Sequence, residues 1–111
     1  MGNVRITSGL VRNLFGAAVT SPTIGGAIYK DSPYASFQAS VVGTGTVTAT
    51  VIIECSNNGV HWCSTPMGTI SLSGTTSSSD GFTTEAPWKF VRARVTAISG
   101  TNATITALIG V

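Results

Sequence analysis

The sequence predicts an all-β fold: a jelly-roll-like β-sandwich of about seven or eight short antiparallel strands with an extended N-terminal arm. Three observations lead there. Apolar and polar residues alternate over 34–42, 46–55, 88–98 and 103–109, the period of half-buried strands. Gly, Ser, Thr and Asn punctuate these runs where turns belong. No helical period is sustained; only Leu10, Leu14, Ala17 and Ala18 have helical spacing, which leaves a helix over 10–18 as the local alternative. A barrel is the alternative architecture.

Residues 1–34 form the arm and 35–111 the sandwich core of a single domain. In the arm, Val4, Ile6, Leu10, Val11, Leu14 and Phe15 are apolar, while Gly9, Gly16, Pro22, Gly25 and Gly26 keep interrupting them. Short strands are expected near 10–15 and 24–30. The apolar residues need cover from their own domain or from a partner. In 34–42, Phe37, Ala39 and Val41 alternate with Ser36, Gln38 and Ser40, and Gly43-Thr44-Gly45 is expected to turn this strand into the next. The central strand, 46–55, sets Val47, Ala49, Val51, Ile53 and Cys55 on one face and Thr46, Thr48, Thr50 and Glu54 on the other. Asn57-Asn58-Gly59 supplies residues that tolerate positive φ, so a hairpin returning through 60–63 is expected. After Pro66 and Gly68, 69–73 reads as a short strand and 74–81 as a polar loop. Ala86-Pro87 resets the chain before the strand at 88–98. A turn at Ser99-Gly100 then leads into 103–109. If those last two strands pair through an odd-length loop such as Ser99-Gly100-Thr101, and not a two-residue turn, Ala97 faces Ala103 and Val91 faces Ile109, so that the faces of Val91, Ala93, Val95, Ala97 and of Ala103, Ile105, Ala107, Ile109 meet.

Composition limits function. Charged residues make up 9% of the chain, against about 25% in an average domain, and mean hydropathy is +0.35. No apolar run approaches the roughly 18 residues of a membrane span. Ser, Thr and Gly must coat the surface, or a partner must cover part of it. The net charge of +2 is too small and scattered for a nucleic-acid footprint. Arg5 and Arg12 interrupt the N-terminus, so no secretory leader is expected, and Ile6 stands where a myristoylation start needs Ser or Thr. Cys55 and Cys63 flank one turn, but a two-residue turn sets Cys55 opposite Trp62 and a three-residue loop sets it opposite His61. Neither register brings the thiols together, and no disulfide is expected.

The residue inventory argues against an enzyme. His61 is the one histidine, and no G-x-S-x-G elbow accompanies the abundant serines. Cys55, His61 and Cys63 fall one ligand short of a structural zinc site, with Glu54 on the opposite strand face. Four acidic residues leave little for paired-carboxylate chemistry, and no phosphate-binding loop is present. No catalytic, cofactor or metal residue is assigned, and no small-molecule substrate is expected. Trp88, Phe90, Arg92 and Arg94 project together from one strand, an aromatic–arginine face of the kind enriched in protein interfaces. With Val4, Ile6, Leu10, Leu14 and Phe15 of the arm, they make the candidate interaction surface. Two other readings of that face stay open: core aromatics beyond a bulge with solvated arginines, or a sugar-stacking platform.

The stretch Ala49-Thr50-Val51-Ile52-Ile53-Glu54, followed by Ser56-Asn57-Asn58-Gly59-Val60-His61-Trp62, then Asp80-Gly81-Phe82, and Ala86-Pro87-Trp88-Lys89-Phe90-Val91-Arg92-Ala93-Arg94-Val95, resembles the capsid decoration (staple) proteins of epsilon-fifteen-like short-tailed bacteriophages. The resemblance covers about the last 65 residues and lies in a pattern of strands and turns. It implies a jelly-roll-like domain on the outer surface of an icosahedral shell. Such a domain would bind the major capsid protein and a second copy of itself, and would reinforce the shell after expansion. The place of assembly would be the host bacterial cytoplasm, where both cysteines stay reduced. The alternative is a carbohydrate-binding or adhesin-like module of a phage fibre.

Overall fold

A computed structural model of the chain describes residues 4–6 and 10–111. The strands are β1 (Val4–Ile6), β2 (Val11–Asn13), β3 (Thr23–Ile24), β4 (Ile28–Lys30), β5 (Tyr34–Ser56), β6 (Gly68–Glu85) and β7 (Phe90–Gly110). All seven belong to one sheet in the order β1-β4-β7-β5-β6, with β2 and β3 also paired to β7. Every pairing is antiparallel except β1 with β4. The protein is all-β, as the alternation predicts, and no helix forms over 10–18.

Three strands are far longer than expected. β5 has 23 residues, and at about 3.3 Å per residue it would span roughly 70 Å if straight. The molecule measures 39 × 25 × 23 Å, so the strand must fold over. It does so at Gly43–Gly45, where the expected hairpin is replaced by a bend inside a continuous strand. β7 bends at Ser99–Asn102 and β6 at Gly74–Ser77, and the three bends align across the sheet: Thr44 pairs with Thr101 and Thr46 with Thr75. Gly45, Thr76, Gly100 and Asn102 all have positive φ there. Gly100, at φ 129°, also brings its α-carbon so close to Thr46 that a Cβ would lie 2.9 Å from that carbonyl. Glycine meets both demands.

The buried row explains why the sheet folds toward one side. Ala35, Phe37, Ala39, Val41, Val47, Ala49, Val51, Ile53 and Cys55 are all core residues, so the same face of β5 is buried on both sides of its bend. Folding toward that face encloses one core, with corners made by bent strands. Gly68 and Phe82 lie on opposite halves of β6, yet a Cβ on Gly68 would fall 2.4 Å from the Phe82 ring. Phe82 in turn stacks against Phe37, with centroids 5.3 Å apart. The halves of β6 therefore face each other across the core.

The expected pairing of 88–98 with 103–109 does not form. Both halves of β7 instead pair with β5: Val91 with Cys55, Ala93 with Ile53, Val95 with Val51, then Ile105 with Val41 and Ile109 with Phe37. A register shift between Thr50 and Val51 leaves Thr96 as an extra residue. This bulge turns Ala97 outward and brings Ile98 against the core in its place. The polar segment 74–81, expected as a loop, is strand as well, because β5 supplies backbone partners for Ser77 through Gly81.

The arm runs antiparallel along the free side of β7. Val11 pairs with Gly110, Thr23 with Val95 and Ile28 with Val91. Between these short strands, Leu14 N–H donates to Ala107 O (2.8 Å), Val19 and Ile105 exchange two bonds of 2.9 Å, and Gly25 N–H donates to Ala93 O (2.8 Å). Its glycines break it into pieces without detaching it. From β2 to β4 the arm is one interrupted strand of the sheet; its domain buries Leu14 and Ile28 and partly covers Phe15 and Val19, while Leu10, Val11 and Ile24 stay exposed.

Candidate interaction surface

The hairpin expected at 57–63 is instead a compact loop over 57–67, tied by side chains. Ser56 Oγ lies 2.6 Å from His61 O and accepts from the N–H groups of Asn58 (3.2 Å) and Gly59 (3.0 Å). Asn58 Oδ1 accepts from Val60 and His61 N–H, both at 2.9 Å. Such local bonds compete directly with a strand ladder. His61 is exposed, and its Nδ1 is 3.2 Å from Asn58 Nδ2. The loop also places Cys63 beside Cys55: Cys63 N–H donates to Cys55 O (3.0 Å). A hairpin register would have kept the two thiols apart; the loop brings their backbones together. Both cysteines are free. Burial, the Cys63 side chain and the charge of Glu54 push the Cys55 thiol from 9.0 up to about 11, so it is a poor nucleophile at neutral pH.

Three side chains of the predicted aromatic–arginine face, Phe90, Arg92 and Arg94, meet groups of their own chain. Arg92 Nε donates to Glu54 Oε1 (2.7 Å), and the Arg92 guanidinium sits 4.2 Å above the Trp62 ring centroid. Arg94 reaches Glu54 Oε2 at 3.8 Å. Phe90 meets the edge of Tyr29 at 5.3 Å and closes against Gly59. Trp88 precedes β7 and is half-buried. Glu54, itself buried, neutralises the guanidinium that the loop aromatic covers. Of the four residues, Arg94 is the one left exposed.

The arm residues separate in the same way. Leu14 is 3% exposed and belongs to the core, so it is not offered to a partner, and Phe15 packs partly buried against that core. Val4 and Ile6 form β1, paired with β4. The break at Gly9 lies outside the described residues. Leu10 remains exposed, and it joins a surface that sequence reasoning missed.

That surface is a trough on the outer face of the sheet, made of two adjoining depressions of about 640 Å³ each that share Val11, Ser36, Thr83 and Gly110. Those four residues form one row across four strands: Val11 opposite Gly110, Gly110 opposite Ser36, Ser36 opposite Thr83. Small residues in the middle of the row make the floor. Around it stand Val11 at 69% exposure, Tyr34 at 61% and Leu10 at 50%, with Leu108 and Val111 half-buried and the exposed carboxylates Asp80 and Glu85 at the β6 side. The signal in the sequence is faint, since it consists of glycine and serine at outward positions that come together only through pairing.

Lys30 is the other group the sequence hid. It is 1% exposed, and its ammonium donates to the carbonyls of Ser32 (2.8 Å) and Ala86, fastening β4 to the β6–β7 connection. Burial, with Lys89 nearby, holds its pKa below the usual lysine value. Among the described residues no group of three or more His, Cys, Asp or Glu side chains is placed to hold a metal.

The chain is thus an all-β protein built on a single, sharply bent sheet. No protein-family model, curated protein or solved structure matches it.

Proposed function

We propose that this chain is a structural virion protein that binds the outer surface of an icosahedral phage capsid and reinforces the shell. Its partners in this reading are the major capsid protein and a second copy of itself, and it has no catalytic role. The observation that carries the proposal is the outer trough: Leu10, Val11 and Tyr34 are exposed together on a chain with 9% charged residues. Apolar side chains clustered over a concave floor favour attachment to a protein surface. On a repeating lattice modest contacts are enough, because each copy also gains from its neighbours. The jelly-roll-like sandwich implied by the resemblance is part of the same proposal. Three long strands folded in half offer six half-strands, and the arm segments offer the remainder.

The carbohydrate-binding alternative has less support. A sugar platform needs several open aromatic faces, whereas Arg92 covers the Trp62 face and Tyr29 and Gly59 enclose Phe90, which leaves Tyr34 as the strongly exposed aromatic among the described residues. Co-sedimentation with expanded, undecorated phage shells tests the proposal. Wild-type chain is expected to saturate the shell at a fixed number of copies per capsid protein. Val11→Asp, which charges the trough rim without touching the core, is expected to bind at least about tenfold more weakly. Equal binding by that variant, or no saturable binding by wild type, refutes the proposal.

A further inference from the structure

Among the described residues β6 pairs on one side only, with β5. An edge strand points alternate N–H and C=O groups away from its sheet, and natural proteins blunt such edges with lysine, proline or inward charges. β6 carries none of these from Gly68 through Ser79; its first charge is Asp80. The bend at 74–77 limits the straight part of the edge to Gly68-Thr69-Ile70-Ser71-Leu72-Ser73-Gly74. By chemical class this segment reads the same in both directions. Glycine ends it on each side, hydroxyl residues follow at Thr69 and Ser73, branched aliphatics at Ile70 and Leu72, and Ser71 stands at the centre.

We propose that this edge pairs antiparallel with the same segment of a second copy, about a two-fold axis at Ser71. It deepens the self-association in the reading above and rests on that part of it alone. In this register Thr69 faces Ser73, Ile70 faces Leu72, Gly68 faces Gly74 and Ser71 faces itself. Ile70 and Leu72, each 2% exposed, already point into the core, so the pairing runs two cores together beneath a continuous sheet. Thr69, Ser71 and Ser73 are exposed on the other face, where directly opposed hydroxyl residues make favourable cross-strand pairs. Antiparallel partners exchange two bonds at alternate positions, so the segment supplies about six backbone hydrogen bonds. The palindrome fits the edge to its own copy: a two-fold interface is self-complementary, and in this register every facing pair matches in chemical class and no charge is buried. The second half of β6 cannot serve in the same way, because a two-fold within it would set Asp80 or Glu85 close to its own mate.

Sedimentation velocity on the full chain, from low to high micromolar, tests the interface. Wild type is expected to show a concentration-dependent dimer. Ser71 is exposed, so Ser71→Lys and Ser71→Glu both retain the fold. Each sets like charges face to face at the two-fold and is expected to weaken dimerisation at least about tenfold. Mixed in equal amounts, the two variants are expected to recover a dimer containing one of each. A wild type that stays monomeric throughout, or a Ser71→Lys variant that dimerises as wild type does, overturns the proposal. Shell binding is scored separately in the co-sedimentation assay, so a dimer that fails to decorate shells faults the capsid reading and leaves this interface standing.

Discussion

Replacing Leu14 by alanine tests whether the N-terminal arm is part of the domain. Leu14 is 3% exposed, sits in the core cluster and is held by its amide on Ala107 O. Removing a buried leucine side chain costs about 2–5 kcal/mol, through lost transfer energy and the cavity left behind. The arm is broken by glycines and can settle partly into the space, so a loss near the lower middle of that range, about 3 kcal/mol, is expected. For a chain of this length that corresponds to a fall in Tm of roughly 12 °C. Leu10→Ala, four positions away and 50% exposed, is the control and should stay within about 0.5 kcal/mol of wild type. Urea unfolding followed by far-UV circular dichroism and by tryptophan fluorescence measures both. A Leu14→Ala loss below about 1 kcal/mol, or a separate early transition for the arm, would refute the assignment of the arm to the sheet. The same reasoning makes deletion of residues 1–16 a poor probe of binding, since it removes β2 and a core side chain together.

Two further predictions follow from contacts inside the bent sheet and from the thiol pair. Gly68→Val should destabilise by about 2 kcal/mol through collision with Phe82. In a double-mutant cycle Phe82→Ala should relieve at least about 1 kcal/mol of that, and strict additivity would mean that the halves of β6 do not meet. Cys55 is an acid whose folded pKa is raised, so its stabilising contribution is complete below pH 9.0 and lost as pH rises through about 11. The difference in unfolding free energy between wild type and Cys55→Ala should therefore shrink by about 3 kcal/mol across that window. A difference independent of pH would contradict the burial of the thiol.

Much of the fold is legible residue by residue, and its failures have physical causes. The odd-numbered row of β5 is plain in the sequence because alternation persists on both sides of the bend. What the residues do not reveal is that Gly43-Thr44-Gly45 bends a strand where it could have ended one. The same positive-φ glycines serve both purposes, and the choice is made by β7 and β6 bending beside them. Ser77 to Gly81 has no apolar alternation to mark it as strand; it is held by its partner's backbone. In β7, one extra residue at Thr96 exchanges Ala97 for Ile98 at the core, and no local pattern announces a bulge. The interaction surface was only half legible. Arg92 and Trp62 belong to a real cluster, but Glu54 and the 57–67 loop occupy it from within. The trough requires Val11, Ser36, Thr83 and Gly110 to meet in one row, which depends on three strand registers at once. Lys30 was hidden because lysine is the residue least expected in a core.

Hydroxyl-radical footprinting of the chain, free and bound to expanded shells, addresses the docking face most directly. Tyr34 at 61% exposure reports on the trough, and Val60 at 72% reports on the loop at the far end of β5. If the trough is the shell-facing surface, modification of Tyr34, Leu10 and Val11 falls several-fold on binding while Val60 and His61 react as in the free chain. Unchanged labelling of Tyr34 together with protection of Val60 and His61 would contradict it.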